Sequence, residues 1–339
     1  MGVVAVPQRM TLPLVFIEQE LLEHTAQPAR LADNAIYCGD TRDLLRQVEP
    51  NSVALSFWSP PYFVGKSYEK DLSFAGWQEL LREVIRLHFS IIKPGCFLVI
   101  NTADILAFPD ECMPRIQADN VSTKRSPITR EQVLEAKAAH PDFNRYQLAA
   151  LLRCSEQTVQ RRTEDNNVRG GKYTPQTRVQ LVGGLIDKWA TDAGFFLYDR
   201  RAWVKDPCWA NSRWHSLSYR SVDEFEYLYV FWKPGITTVD RKRLTQKEWS
   251  DWGSRGVWQF PSVRSHAAHE AEFPVELPRR VIKLLSAPND LVLDCFLGSG
   301  TTAEAAIQER RRYLGFELMP DYVEQARRRC SMVQRGLLP

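Results

Sequence analysis

Leu291-Val-Leu-Asp-Cys-Phe-Leu-Gly-Ser-Gly-Thr-Thr302 decides the fold. A short apolar run ends in a turn whose glycines, Gly298 and Gly300, flank Ser299, and two threonines then open a helical period. Glycines at such a turn let backbone amides come close to a ligand, and the amino end of a helix favours polar or anionic groups. Glu317 stands 23 residues after Asp294, just past the next strand-like run, where an acidic side chain accepts hydrogen bonds from ribose hydroxyls. The third glycine of a dinucleotide fingerprint is absent, since Thr301, Thr302 and Ala303 follow directly, and no Gly-Lys-Ser/Thr is present for a triphosphate. The ligand expected here has a ribose and an adenine but no pyrophosphate.

Outward from this turn the same alternation continues. Helical spacing covers Val275 to Ser286, Thr301 to Glu309 and Pro320 to Arg329, and Tyr313 to Phe316 reads as a strand. Upstream, Ala35 to Cys38 and Val53 to Phe57 are strand-like. Trp77 to Ile92 carries apolar residues at helical spacing, and Lys93-Pro-Gly95 stops that helix before the run Cys96 to Ile100. Strand, helix, strand in this order implies parallel strands with right-handed crossovers. Residues 109–177, with prolines, charged helices and Gly170-Gly171, interrupt the pattern; a helix from about Gln176 to Ala193 and strands at Phe195 to Lys205 and Phe225 to Lys233 resume it. The expectation is an α/β fold: a doubly wound, mostly parallel sheet with an antiparallel edge, carrying a helical insertion. Its parts are an extension over 1–34 with a short helix at Phe16 to Glu23, core segments 35–108 and 178–233, the insertion 109–177, a loop region 234–264, and the final unit 265–339.

Composition narrows the class. The chain has 339 residues, 44% of them hydrophobic, enough for one large core plus an appended module. Its 7 cysteines form no CxxC pair, which argues against both a disulfide framework and a zinc site. The first residues lack the charged start and apolar stretch of a signal peptide, and no apolar run approaches the ~20 residues that span a bilayer, so a soluble cytoplasmic protein is expected. Net charge is +3, yet Glu111 to Gln180 holds 12 Lys/Arg against 8 Asp/Glu, a modest footprint for a polyanionic partner.

A second motif, Ser59-Pro-Pro-Tyr62, follows the strand Val53 to Phe57. Together with Asp294 to Thr302 it resembles the β-class, permuted DNA amino-methyltransferases, in which the target-base loop precedes the cofactor turn. The resemblance covers roughly residues 35–108 and 180–330. It implies a Rossmann-like methyltransferase fold, S-adenosylmethionine as cofactor and double-stranded DNA as partner, and it leaves room for a homodimer and for a partner restriction enzyme. Cofactor contacts are implied at Asp294, Phe296, Gly298, Ser299, Gly300, Thr301, Thr302 and Glu317, at Asp40 against the adenine, and at Phe273 and Pro274 near the methionine end.

The chemistry explains the tetrad. An exocyclic amine is a poor nucleophile because its lone pair is delocalised into the ring, so acceptors must draw its hydrogens. The Ser59 hydroxyl and the Pro60 carbonyl can do so, with Pro60 and Pro61 fixing the backbone and offering no competing amide hydrogen. Tyr62, with Phe63 beside it, offers a ring for an extruded base. Serine rather than aspartate at the first position leans, in the family's usage, towards cytosine N4, while adenine N6 stays open. Serine is a neutral acceptor, so proton loss is expected to follow methyl transfer.

DNA could be read in two places. Arg145 to Arg162 resembles a helix-turn-helix, with Ala149 and Val159 between its helices, Ser155 as a cap, and Gln157, Thr158, Gln160, Arg161 and Arg162 on the second helix; Arg153 stands where glycine is usual. Later, Arg200, Arg201, Trp203, Lys205, Trp209, Arg213, Trp214 and Tyr219, then Asp240 to Arg243 and Trp249, Trp252 and Trp258, interleave cations with aromatics. Two rival readings are a DNA-binding regulator on an inactive methyltransferase fold and a nucleotide-cofactor oxidoreductase; the latter leaves Ser59 to Tyr62 unexplained.

Overall fold

The computed structural model describes residues 31–63, 72–103, 105–109, 116–117, 126–163, 173–174, 177–207, 221, 224–263 and 272–336. The short helix expected at 16–23 lies outside them. Two compact units emerge: 1–104 with 182–205 and 225–339, and 105–181 with 206–224. In chain order the strands are β1 (Ala35–Cys38), β2 (Val53–Trp58), β3 (Ile92–Thr102), β4 (Ile105–Pro109), β5 (Ile116–Gln117), β6 (Tyr173–Thr174), β7 (Thr177–Leu181), β8 (Phe196–Val204), β9 (Phe225–Trp232), β10 (Val257–Gln259), β11 (Leu291–Asp294) and β12 (Arg312–Glu317). The longer helices are α1 (Thr41–Leu45), α2 (Phe74–Ile91), α3 (Arg130–Ala139), α4 (Arg145–Leu151), α5 (Glu156–Thr163), α6 (Val182–Ala193), α7 (Glu276–Leu285), α8 (Thr301–Gln308) and α9 (Pro320–Gln334).

In the first unit one sheet runs β1-β12-β11-β2-β3-β9-β8-β10. β9 is antiparallel to both β3 and β8, while the other pairings are parallel. The antiparallel strand therefore sits inside the sheet, between β3 and β8, and the three-residue β10 pairs parallel with β8 to form the outer edge. So short a strand carries too little pattern to be read from sequence. β2 and β11 are buried along their whole length, as central parallel strands covered on both faces must be.

α2 begins three residues before Trp77 because Ser73 Oγ accepts from Gly76 N at 3.0 Å and caps it. Its buried stripe, Trp77, Leu81, Val84, Ile85 and His88, has helical spacing. His88 is completely enclosed. Its Nδ1 lies 2.7 Å from Val84 O and its Nε2 2.9 Å from Ser56 Oγ, and burial pushes its pKa down to about 4, so it is a neutral strut between α2 and β2.

α6 starts at Val182, not near Gln176, because residues 177–181 form β7 and pair antiparallel with β4. That partner lies far back in the chain, so local periodicity could not reveal it. The second unit is helical around Val133, Leu148, Ala149 and Val159, which form its core. Ala149 and Val159 pack as the helix-turn-helix spacing requires, and Thr158 N donates to Ser155 Oγ at 3.2 Å to cap α5. Arg153 in the turn has φ +50°, the left-handed region that glycine occupies without a Cβ penalty. Arg153→Gly is accordingly expected to stabilise this unit by about 1 kcal/mol, seen as slower hydrogen exchange of the α4 and α5 amides.

Candidate active site

The carboxyl ends of the parallel strands all open on one side of the first unit's sheet. β11 leads through α8 to β12 on one flank, while β2 leads through α2 to β3 on the other, so the strand order reverses between β11 and β2. A crevice outside such a reversal is where open α/β sheets bind ligands. Both sequence motifs lie there: the glycine turn follows β11 and the Ser59 tetrad follows β2.

On the β11 side, Gly298 and Gly300 have φ +55° and +94°. A Cβ on Gly300 would stand 2.8 Å from that of Ala326 on α9, so the turn packs directly on that helix and only glycine fits. Glu317, at the end of β12, accepts from Gly298 N and Met319 N, both at 2.8 Å, and burial raises its pKa. Asp294 is 2% exposed and accepts from Phe296 N at 3.0 Å; with burial the main cause and Glu317 adding repulsion, its pKa is pushed up to about 7. Arg329 braces the turn from behind, donating to Ser299 Oγ at 3.0 Å and Thr301 Oγ1 at 2.8 Å while pairing with Glu272 and Glu304. Thr302 Oγ1 is buried without a well-formed hydrogen bond among the described residues, although it leans close enough to Asp294 to oppose that rise.

A buried carboxyl whose pKa is raised, a threonine hydroxyl without a well-formed hydrogen bond among the described residues and a glycine-flanked turn fit a polar nucleoside ligand that would complete them. Phe273 lies edge-on to Phe57, and Phe296 edge-on to Trp58, which puts aromatic walls between the two motifs. Asp40 caps α1 through Arg42 N at 2.8 Å and is ion-paired with Arg42, whose hydrogen bond lowers its pKa. A ligand reaching Asp40 would share it with that guanidinium.

On the β2 side, the tetrad is held from below. Trp77 Nε1 donates to Pro61 O at 2.7 Å. Phe63, at φ +55°, packs against Phe74 and Trp77, so its ring belongs to the scaffold while Tyr62 faces the polar cluster. Ser59 Oγ donates to Asn101 O at 3.0 Å and accepts from Asn101 Nδ2 at 2.9 Å. Tyr62 OH lies 3.3 Å from Ser59 Oγ and 3.1 Å from Glu226 Oε2, which also accepts from Asn101 Nδ2 at 2.6 Å. Lys205 forms an ion pair with Glu226.

Asn101 and Glu226 escaped the sequence reading. Their one local signal is a polar residue at the tip of an apolar strand and an acid inside the aromatic run Phe225 to Trp232.

A family model for DNA methylases, N6_N4_Mtase, matches residues 53–328. The chain belongs to this family. The methylase is 54% identical over 294 residues to the type II methyltransferase M.BglI of Bacillus subtilis, covering 87% of this chain and 84% of that protein. TTHA0409 of Thermus thermophilus, solved in complex with S-adenosyl-L-methionine, superposes with a TM-score of 0.58 at 23% identity, covering 89% of this chain and 95% of that one. The cytosine-N4-specific PvuII DNA methyltransferase superposes with a TM-score of 0.52 at 18% identity, covering 91% and 94%. These two likenesses show the fold. The methylase is a DNA amino-methyltransferase, which disposes of the oxidoreductase reading. No helix among its described residues is long and apolar enough to cross a membrane.

The remaining predicted residues divide cleanly. Gln157, Gln160 and Arg161 are exposed on α5, whereas Thr158 is half-buried in the cap and Arg162 Nε donates to Ile128 O at 3.1 Å. Lys205, read from sequence as a DNA contact, is instead turned inward to Glu226 and only 16% exposed. Trp203, Trp252 and Trp258 are core, with Arg280 over the latter two rings and Arg201 over Trp258. Trp209, Arg213, Trp214 and Tyr219 lie outside the described residues.

Proposed function

We propose that the methylase transfers the methyl group of S-adenosylmethionine to N4 of a cytosine turned out of duplex DNA, at a specific sequence, in the cytoplasm. The neutral first residue of the clamp, Ser59, carries the choice of base: with serine in place of aspartate the family's usage favours cytosine. Bound at the glycine turn, the cofactor supplies an activated sulfonium methyl. Every other part of the work falls to the chain. Gly298 to Thr302, Asp294 and Glu317 bind and orient the nucleoside, with Phe273, Pro274 and Phe296 beside the reacting end and Asp40 towards the adenine. Trp77 claims the Pro61 carbonyl, so the amine hydrogens fall to Ser59 Oγ and Pro60 O, which localise the nitrogen lone pair. Tyr62, its hydroxyl anchored at Glu226, presents a fixed ring for the extruded base to stack on. Positioning for in-line transfer removes much of the entropic part of the barrier.

For sequence reading, the favoured surface is α5, where Gln157, Gln160 and Arg161 can meet base edges and phosphates. Arg161→Ala is expected to weaken duplex binding about tenfold, a loss of ~1.4 kcal/mol, and to leave cofactor affinity unchanged; titration of a labelled duplex, then of labelled cofactor, measures both. An inactive regulator would keep duplex affinity without transfer. Sequencing DNA from cells that express the chain, by a method that detects modified bases, tests the whole reading: modified cytosines should recur within one motif. Modified adenines would overturn the base assignment, and unmodified DNA would favour the inactive regulator.

A further inference from the structure

We propose that Glu226 is the terminal acceptor of the proton that the target amine gives up, reached through Ser59 and Tyr62. This rests on the clamp described above and adds a carboxylate to a site whose sequence offers only neutral acceptors.

Three observations carry it. First, the hydroxyls are in line: Ser59 Oγ to Tyr62 OH is 3.3 Å, and Tyr62 OH to Glu226 Oε2 is 3.1 Å. Second, Glu226 is 7% exposed yet has a counter-ion in Lys205, so a charge buried beside the clamp is balanced, at the cost of taking an ammonium away from solvent. Third, Asn101 ties the ends together, its Nδ2 donating both to Ser59 Oγ and to Glu226 Oε2, while its own Oδ1 is buried without a partner among the described residues. A purely structural ion pair needs neither the tyrosine hydroxyl nor the serine at its edge.

The step balances. The amine nitrogen bonds to the methyl carbon, the carbon–sulfur pair stays on sulfur, and nitrogen would be left cationic in a site shielded from water, which is costly. As the bond forms, an N–H proton moves to Ser59 Oγ; the serine proton turns from Asn101 O to the Tyr62 oxygen; the tyrosine proton moves to Glu226, which becomes a neutral carboxylic acid. Proton loss then accompanies methyl transfer instead of following it.

Glu226→Gln keeps the shape and an acceptor oxygen but cannot take the proton, and Tyr62→Phe keeps the ring but cuts the chain of hydroxyls. Each is expected to slow single-turnover transfer about 10²-fold, the lower end for general-base removal, and the double variant to be no slower than either, because they break one path. Transfer in deuterated water should slow the wild type more than either variant, because protons move along the intact path as the methyl is transferred. Wild-type speed in Glu226→Gln, or a slowing that retains the wild-type solvent isotope effect, overturns the proposal. Should Glu226→Gln fail to fold, Tyr62→Phe decides alone: full speed or an undiminished isotope effect refutes the relay, and a slow rate with a diminished one supports it. An unimpaired Ser59→Ala would sink the clamp itself, a separate failure.

Discussion

Ser59→Ala lowers the single-turnover rate of methyl transfer by about 10²- to 10³-fold, the effect of removing one well-placed polar group from a reacting centre, while duplex and cofactor affinities stay close to wild type. The expectation follows from where the hydroxyl sits. It is fixed from both sides by Asn101, so it is pre-set to accept from an amine without reorganisation. It also belongs to a different strand end from the glycine turn, so its loss leaves the cofactor cradle intact. Rapid-quench kinetics with labelled cofactor separate the two quantities. A variant that loses cofactor affinity and keeps its rate would place Ser59 in the wrong half of the site.

Asp294→Asn stabilises the ligand-free protein above neutral pH and weakens cofactor binding. Burial raises the folded pKa of Asp294 to about 7, above its unfolded value, so the folded state holds the extra proton between roughly pH 4 and 7. Stability from this residue is therefore present at low pH, declines as pH rises through that window, and is lost above it. About three pKa units correspond to ~4 kcal/mol at most. Denaturant melts at pH 5 and pH 8 should show that decline in the wild type and a flatter dependence in Asp294→Asn, with the variant more stable at pH 8. Equal pH dependence in both would remove Asp294 as the cause. On the proposed cofactor role, Asp294 would be a binding carboxyl retained at the expense of the empty fold's stability.

Much of this is legible in the chain. The glycine turn, the tetrad and the alternation around them announce a doubly wound sheet, since strand and helix periods of that length have few other solutions. What escapes is non-local. The pairing of β4 with β7 turns an expected helix start into strand, and β10 displaces the edge. Glu226 lies 164 residues from Tyr62, and Asn101 42 from Ser59, so no spacing rule could join them. Interleaved cations and aromatics suggest a DNA contact at Lys205, and spacing does not reveal the buried carboxylate with which it pairs. Trp249 is exposed while Trp203, Trp252 and Trp258 are core, a division that composition cannot report.

The most direct measurement is mass analysis of nucleosides from a duplex incubated with the purified protein and isotopically labelled S-adenosylmethionine. Labelled N4-methyldeoxycytidine, formed about 10²- to 10³-fold more slowly when Ser59→Ala is used, is the predicted result. Label on adenine N6, on a cytosine carbon, or on no base at all would contradict it.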